Sequence, residues 1–261
     1  MSWVITPSNA LVDDQDALTY LAAVEAADGQ ALESATRLAV NAFVKGCKAD
    51  GIWPAIKASC ILAGARTLAG ALVPLVGTAP TNVGGLFVSG DYNRETGLVG
   101  DGSTKYLNSN RNNNADPQNS KHISLYGSFS VASGTERTVM GITFAASGWT
   151  AFNLDNRATS GFQPWINGAN YPSGMVPLSQ SGFFGATRSG STTIDSRIGS
   201  SSYSRSVNSN SPASGLITVF GAGTAGSNGR IAFYSIGESL NLALLDTRVT
   251  TLINAFAAAI P

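Results

Sequence analysis

The sequence predicts a mainly β protein: an antiparallel β-sandwich of the jelly-roll type, with a helical N-terminal region and a C-terminal amphipathic helix. Two observations predict this fold class. Up to about residue 76, apolar residues recur every three or four positions, as in helices. From about residue 80, short apolar runs alternate with clusters of Gly, Ser, Asn and Thr, which is typical of sandwiches and barrels. A chain of 261 residues can bury a core without disulfides or metals.

The N-terminal region, residues 1–79, is predicted to be helical and to serve attachment or oligomerisation. Residues 1–30 are expected to form an irregular or short-helical arm. An amphipathic helix follows, and its apolar stripe includes Leu32 and Phe43. A second helical segment is predicted over about 52–63, and residues 68–76 are apolar but ambiguous.

Residues 80–261 are predicted to form the sandwich and the terminal helix. Leu252 lies on the apolar face of that helix, and we expect it to be buried together with Leu32 and Phe43. Asn167-Gly168 and Asn228-Gly229 are predicted hairpin turns, and residues 200–214 a loop rich in Ser and Asn. The predicted strands are 84–89, 104–108, 121–131, 136–145, 149–154, 162–166, 181–188, 194–198, 215–221 and 230–237.

Charge and composition exclude several classes of function. The chain has 16 basic and 16 acidic residues and no basic stripe, so nucleic-acid binding lacks its electrostatic footprint. The N-terminus shows no signal-peptide pattern, and the apolar run over 55–76 is too interrupted to span a bilayer. We therefore expect a chain folded in a cytosol without membrane insertion. Cys47 and Cys60 are expected to be buried small apolar residues.

The sequence shows no convincing catalytic motif. Residues 221–226 (GAGTAG) match the dinucleotide-binding glycine pattern, but the following residues read as a strand instead of the required helix. His122 is the only histidine, and a Ser-His-Asp triad would have to use it. We expect it to lie at a strand end or on the surface. The chain is therefore predicted to be no enzyme and to need no cofactor or metal.

Two groups of residues are candidates for ligand binding. Asp91, Asn93 and Asp101 carry oxygen atoms that could hold calcium or bond sugar hydroxyls, although such residues more often form Asx turns. Trp149, Trp165 and Tyr171 flank turns and could stack on a sugar ring. Core packing is the favoured alternative for these rings, and Trp149 is the best candidate for an exposed ring.

Four stretches resemble a family of tailed-phage virion proteins. They are residues 41–53 (NAFVKGCKADGIW), 87–98 (FVSGDYNRETGL), 100–107 (GDGSTKYL) and 233–240 (FYSIGESL), the last followed by the terminal helix. The resemblance implies a lectin-like jelly roll related to concanavalin and laminin-G domains. It carries over no catalytic motif, and the metal-and-sugar pattern of plant lectins is not recognisable here.

The resemblance implies a non-enzymatic virion structural protein, either a capsid decoration protein or a tail or appendage component. Its expected partners are other virion proteins and further copies of itself, with a trimer as the best prediction. Its expected location is the virion, after assembly in the host cytoplasm. The alternative is a receptor-recognition module of a tail fibre or spike that binds a host surface glycan.

Overall fold

The computed structural model describes residues 13–130, 136–142, 147–155, 161–168, 181–221 and 226–260. The α-helices in this part are α1 (Gln15–Asp28), α2 (Ser34–Ala49), α3 (Leu68–Ala71) and α4 (Leu242–Ala259). The strands are β1 (Ile56–Ile61), β2 (Pro74–Val76), β3 (Thr81–Asn82), β4 (Tyr92–Asn93), β5 (Gly97–Val99), β6 (Leu107–Asn112), β7 (Lys121–Ser128), β8 (Glu136–Gly141), β9 (Trp149–Asp155), β10 (Gly161–Gly168), β11 (Ser181–Arg188), β12 (Thr193–Ile198), β13 (Ser201–Ser206), β14 (Leu216–Val219) and β15 (Arg230–Gly237).

These strands form two sheets. The first sheet has the order β13-β12-β11-β7-β15-β1-β2, and β5 pairs with β15 and with β4. The second sheet has the order β10-β9-β8-β14-β6-β3. Every pairing between these strands is antiparallel. The predicted fold class, a mainly β sandwich with a C-terminal helix, is confirmed.

The sandwich core lies between the inner faces of the two sheets. Phe152 and Phe162 of the second sheet have ring centroids 4.8 Å apart, and Phe162 lies 5.4 Å from Phe184 of the first sheet. All three rings are fully buried. Aromatic side chains dominate such cores because each removes a large apolar area from water.

A second apolar layer lies on the outer face of the first sheet, where α1, α2 and α4 pack. Phe43 of α2 meets Phe233 of β15 edge to face, with 5.8 Å between the ring centroids. The expected burial of Leu32, Phe43 and Leu252 is confirmed, and it occurs within one chain. By length and composition α4 is apolar enough to cross a membrane, with a mean hydropathy of 1.2, but its apolar face packs on α2 and the first sheet.

The predicted second helix over 52–63 is wrong. A short 3-10 turn, Trp53–Ala55, leads directly into β1, which pairs with β15 on one side and β2 on the other. Almost every residue of β1 is buried because both of its faces are covered. Such a strand shows no alternation of polar and apolar residues, so periodicity cannot distinguish it from a buried helix. The first sheet therefore draws strands from both sides of residue 79.

Other local predictions also need correction. Residues 84–89 hold two 3-10 turns instead of a strand, and β13 lies inside the loop predicted over 200–214. Gly168 pairs with Trp149 at the end of β10, so Asn167-Gly168 is not a two-residue hairpin turn. Asn228-Gly229 leads from the second sheet into β15 of the first sheet, so it joins no hairpin. The expected arm contains a regular helix, α1.

Candidate functional site

An open cleft of about 470 Å³ lies on the outer face of the first sheet, beside the start of α4. Its floor is the part of the outer face of β11, β12 and β13 that α4 does not cover. The lining residues are mostly small and hydroxylated, and they are Thr187, Ser189, Asp195, Ser196, Arg197, Ser202, Tyr203, Ser204, Ser239, Leu240, Asn241, Leu242 and Ala243.

One cross-strand row forms the middle of the floor. Thr187, Asp195 and Ser204 lie opposite one another on adjacent antiparallel strands, so their side chains share one face of the sheet. The Thr187 hydroxyl donates to the carbonyl oxygen of Lys121 at 3.3 Å. The same hydroxyl oxygen accepts from the amide of Leu240 at 3.4 Å. The row is thus tied to the loop that precedes α4.

The wall of the cleft is the first turn of α4. The Asn241 side-chain oxygen accepts from the amides of Ala243 at 3.0 Å and Leu244 at 3.3 Å, which is an N-cap. These amides would otherwise attract an anion. Because Asn241 already bonds these amides, they add no polar group to the wall. The other lining residues here are aliphatic, namely Leu240, Leu242 and Ala243.

Arg197 connects the floor to the wall. Its Nε donates to Asp246 Oδ2 of α4 at 2.7 Å, and its Nη1 donates to the Ser202 hydroxyl at 3.1 Å. Among the described residues that line the cleft, Arg197 is the only cationic one, and its ion pair with Asp246 neutralises it. Asp195 is exposed and has no hydrogen-bond or ion-pair partner within the described residues. The charge that the cleft offers to a ligand is therefore negative.

The predicted aromatic site lies elsewhere. Trp149 is 5% exposed and Trp165 is fully buried, and their ring centroids lie 4.8 Å apart in the sandwich core. Trp149, the best candidate for an exposed ring, is therefore not exposed. The favoured alternative, core packing, describes both rings. Tyr171 lies outside the described residues.

The predicted oxygen ligands are engaged in local structure. Asp101 accepts from three consecutive amides, Ser103 to Lys105, at 2.8–2.9 Å, and these bonds hold the pKa of its carboxyl well below the usual range. Asn93 accepts from the amides of Glu95 and Thr96. Asp91 receives the Lys105 ammonium at 2.6 Å. Within the described ranges no three His, Cys, Asp or Glu side chains could share a metal ion.

His122 lies at the start of β7, so the strand-end alternative is confirmed, but its side chain is fully buried and does not reach the surface. Its Nδ1 lies 2.6 Å from the carbonyl oxygen of Glu238, so Nδ1 donates, and the Ser235 hydroxyl donates to Nε2 at 2.7 Å. Burial lowers the pKa of His122 to about 4. Ser235 is equally buried, so this serine–histidine pair has no surface through which a substrate could reach it.

Two cations that the sequence did not single out lie at the cleft end of the sandwich interior. Lys121 and Arg188 face each other across β7 and β11, and both are fully buried. Lys121 Nζ donates to the carbonyl oxygen of Asn113 at 2.5 Å, and Arg188 donates to those of Ile166 and Val207. Burial lowers the pKa of Lys121 to about 8. These cations hold loops together and do not reach the cleft.

The cleft itself escaped the sequence analysis because three strands and a helix contribute to it. The one local signal was the alternation in residues 201–206 (SSYSRS), where Ser202, Ser204 and Ser206 share one face of the edge strand. A run of serines with an exposed face resembles a loop, since serine has little preference for strands.

Comparisons with known proteins agree with the fold. No family model matches the chain, and no curated protein matches it significantly. The chain is similar to a Trypanosoma rangeli sialidase solved with 2,3-difluorosialic acid as a covalent intermediate, at a TM-score of 0.51 and 9% identity over 77% of this chain and 33% of that one. It is also similar to the binding domain of botulinum neurotoxin serotype D, at a TM-score of 0.50 and 14% identity over 76% of this chain and 51% of that one.

The chain thus spans between a third and a half of the length of these two structures. At such low identity the similarity shows the fold alone. The fold is a β-sandwich of the lectin-like class, in which two antiparallel sheets enclose an aromatic core. This chain adds a helical layer on the outer face of the first sheet.

Proposed function

We propose that the protein is a non-enzymatic structural component of a tailed-phage virion that displays its β-sandwich on the particle, as a capsid decoration protein or as part of the tail or an appendage. The observation that supports this proposal is spatial. Two of the four stretches with the family resemblance, residues 41–53 and 233–240, contact each other through Phe43 and Phe233, and a third, residues 87–98, pairs with β15 just before the last stretch.

The contacts around these stretches are specific. Phe43 packs on Phe233, and Leu98 of β5 pairs with Ile231 of β15, just before the last stretch. Arg94 donates to the carbonyl oxygen of Ala65 at 3.0 Å and to Glu33 at 2.7 Å, next to α2. A Cβ on Gly97 would lie 2.1 Å from the carbonyl oxygen of Ile231, so only glycine allows this close approach. The resemblance therefore falls on one interface that these residue types build together.

The absence of catalysis is part of the proposal. It is supported by the burial of His122 and Ser235, the pair with the hydrogen-bond geometry of a nucleophile and its base.

Homo-oligomerisation rests on the family resemblance. Val40, Val44 and Ile61, apolar residues of the N-terminal region that could otherwise dock on a neighbouring copy, are buried within the single chain. A trimer remains a prediction, and light scattering on the purified protein tests it.

The test of the virion role uses particles of the phage that encodes the chain. Antibodies against the purified protein are applied to gradient-purified particles and located by immunogold electron microscopy, with antibodies against an abundant host cytosolic protein as the control. We expect regular labelling of the capsid or the tail and a stoichiometric band in the particle proteome. Absence from nuclease-treated, purified particles would refute the proposal.

Recognition of a host surface glycan is the second candidate function, and the cleft favours it. Sugar-binding sites need hydroxyl-bonding side chains beside an apolar wall in a largely preformed cavity. The floor row and the aliphatic first turn of α4 supply both. Binding of the purified protein to isolated cell-surface polysaccharide of the host, with a cleft-blocked variant as the control, tests this role independently of the particle.

A further inference from the structure

We propose that the cleft between β11–β13 and α4 binds a neutral saccharide, with the carboxylate of Asp195 as its central hydrogen-bond acceptor. This inference rests on the glycan-recognition candidate and adds the location of the site and the class of sugar. It differs from what the sequence predicted, since none of the predicted glycan-binding residues that the structure describes lines the cleft.

The first argument is the supply of free polar groups. Asp195, Ser189 and Ser204 are exposed, and their side chains have no hydrogen-bond partner in the described part of the chain. Asp195 lies on β12, which pairs along its length with β11 and β13, so its backbone is fixed before a ligand arrives. A carboxylate can accept two hydroxyls at once, which suits vicinal hydroxyls of a sugar.

The second argument is the sign of the charge. Arg197 is occupied by Asp246 and Ser202 and is only 15% exposed in its side chain. The amides of Ala243 and Leu244 at the start of α4 are occupied by Asn241. The described lining of the cleft thus offers no free cationic group to a carboxylate or sulfate, and Asp195 repels such anions. At about 4 Å this repulsion lowers affinity at least several-fold.

The third argument is shape. The cleft volume of about 470 Å³ lies in the range of small-molecule sites, so it fits a short saccharide. Leu240 and Ala243 form an apolar wall against which the C–H face of a sugar ring can pack, while Thr187, Asp195 and Ser204 face its hydroxyls. A neutral ring with one polar edge and one less polar face matches this arrangement.

The experiment compares glycan binding by four proteins. Wild type, Asp195→Asn, Ser204→Trp and the control Ser128→Trp are titrated calorimetrically with neutral di- and trisaccharides built from glucose, galactose and N-acetylhexosamines, and with sialyllactose and a sulfated disaccharide. Ser128 is an exposed serine at the opposite end of β7 from His122. Circular dichroism and melting curves confirm that each variant is folded.

We expect at least one neutral saccharide to bind with little dependence on salt. Asp195→Asn should weaken that binding by roughly 10- to 100-fold, the usual loss for a hydrogen bond to a charged group. Ser204→Trp should abolish it by filling the cleft, and Ser128→Trp should not change it.

The contrary outcomes separate the two levels of the proposal. Tight binding of the acidic sugars that Ser204→Trp abolishes would overturn the neutral class and leave glycan recognition standing. Neutral binding that neither cleft variant affects would overturn the location. If no sugar in the panel and no host polysaccharide binds to wild type, both this inference and the glycan-recognition function are refuted, while the virion role stays open to its own test.

Discussion

The outer face of the first sheet has two halves that differ in kind. The half built from β7, β15 and β1 lies under the helices and carries large side chains such as Phe233. The half built from β12 and β13 lies open and carries Asp195, Ser202 and Ser204. The outer face of this sheet therefore changes, within a few strands, from a surface buried under helices to one exposed to solvent.

The boundary between the halves is the path of α4. Its face with Leu245, Val249 and Leu252 is buried, and Arg197 and Asp246 join it to the open half at a partly buried ion pair. One cross-strand row passes through both halves: it begins at Ser204 and Asp195 and continues through Thr187 to buried His122. Stability should therefore depend on the covered half, and ligand binding on the open half.

The largest expected effect is the loss of an aromatic ring from the covered half. Phe43→Ala removes the ring that packs on Phe233 and leaves a cavity, so we expect the free energy of unfolding to fall by about 3–5 kcal/mol. Leu38→Ala is the matched control, because Leu38 lies on the same helix and is 59% exposed. Urea denaturation measures both. Similar losses for the two variants would show that α2 is not packed as described.

The second effect is acid destabilisation through His122. Its pKa of about 4 in the folded chain lies below the ordinary value of 6.5, so the unfolded chain binds more protons between these values. Stability that is present above pH 6.5 should be lost as the pH falls to about 4, by roughly 3 kcal/mol in total. The control is His122→Gln, because glutamine carries both a donor and an acceptor but does not titrate.

The measurement is the difference in unfolding free energy between wild type and His122→Gln from pH 7 to pH 4. Carboxylates such as Glu25 and Glu33 titrate in both proteins, so their contributions cancel. A difference that does not change with pH would mean that His122 is hydrated and not sealed beneath the helical layer.

The third effect concerns the ion pair between the halves. A double-mutant cycle of Arg197→Ala and Asp246→Ala should give a coupling energy of about 1 kcal/mol, because the pair is partly buried and bonded at 2.7 Å. The pair of Lys57 and Glu238, whose side chains are more exposed, is the control, and its coupling should be below about 0.5 kcal/mol. Equal couplings would show that α4 is not fixed to β12 by this contact.

The sequence predicted the covered half better than the open half. The helical face with Phe43 and the terminal helix with Leu252 were predicted correctly, because burial on one face leaves a clear period. Leu32 is buried as predicted but lies just before α2 begins. Strands such as β7, β11 and β15 were located within a few residues. Strand β1 was misassigned because it is buried on both faces and has no period to read.

The site could not be found by the same means. Thr187, Asp195, Ser204 and Asn241 come from three strands and a helix cap, and only the strand register brings them together. Trp149 was a candidate because it lies next to a loop. The residue type does not show which face of a sheet a strand residue occupies, because a shift of one position along the strand moves its side chain to the other face.

The smallest expected effect is also the most informative about the open half. Aspartate is a poor strand residue, yet Asp195 lies in the middle of β12 without a partner in the described part of the chain. Asp195→Thr should therefore leave stability unchanged or raise it by about 0.2–1 kcal/mol, while saccharide binding is lost. Thermal melting and calorimetry measure the two quantities on the same protein. Residues that break a local structural rule without a compensating contact are typical of functional sites. A clear loss of stability would instead mean that Asp195 supports the fold, and the contrast between the two halves would no longer hold at the row that joins them.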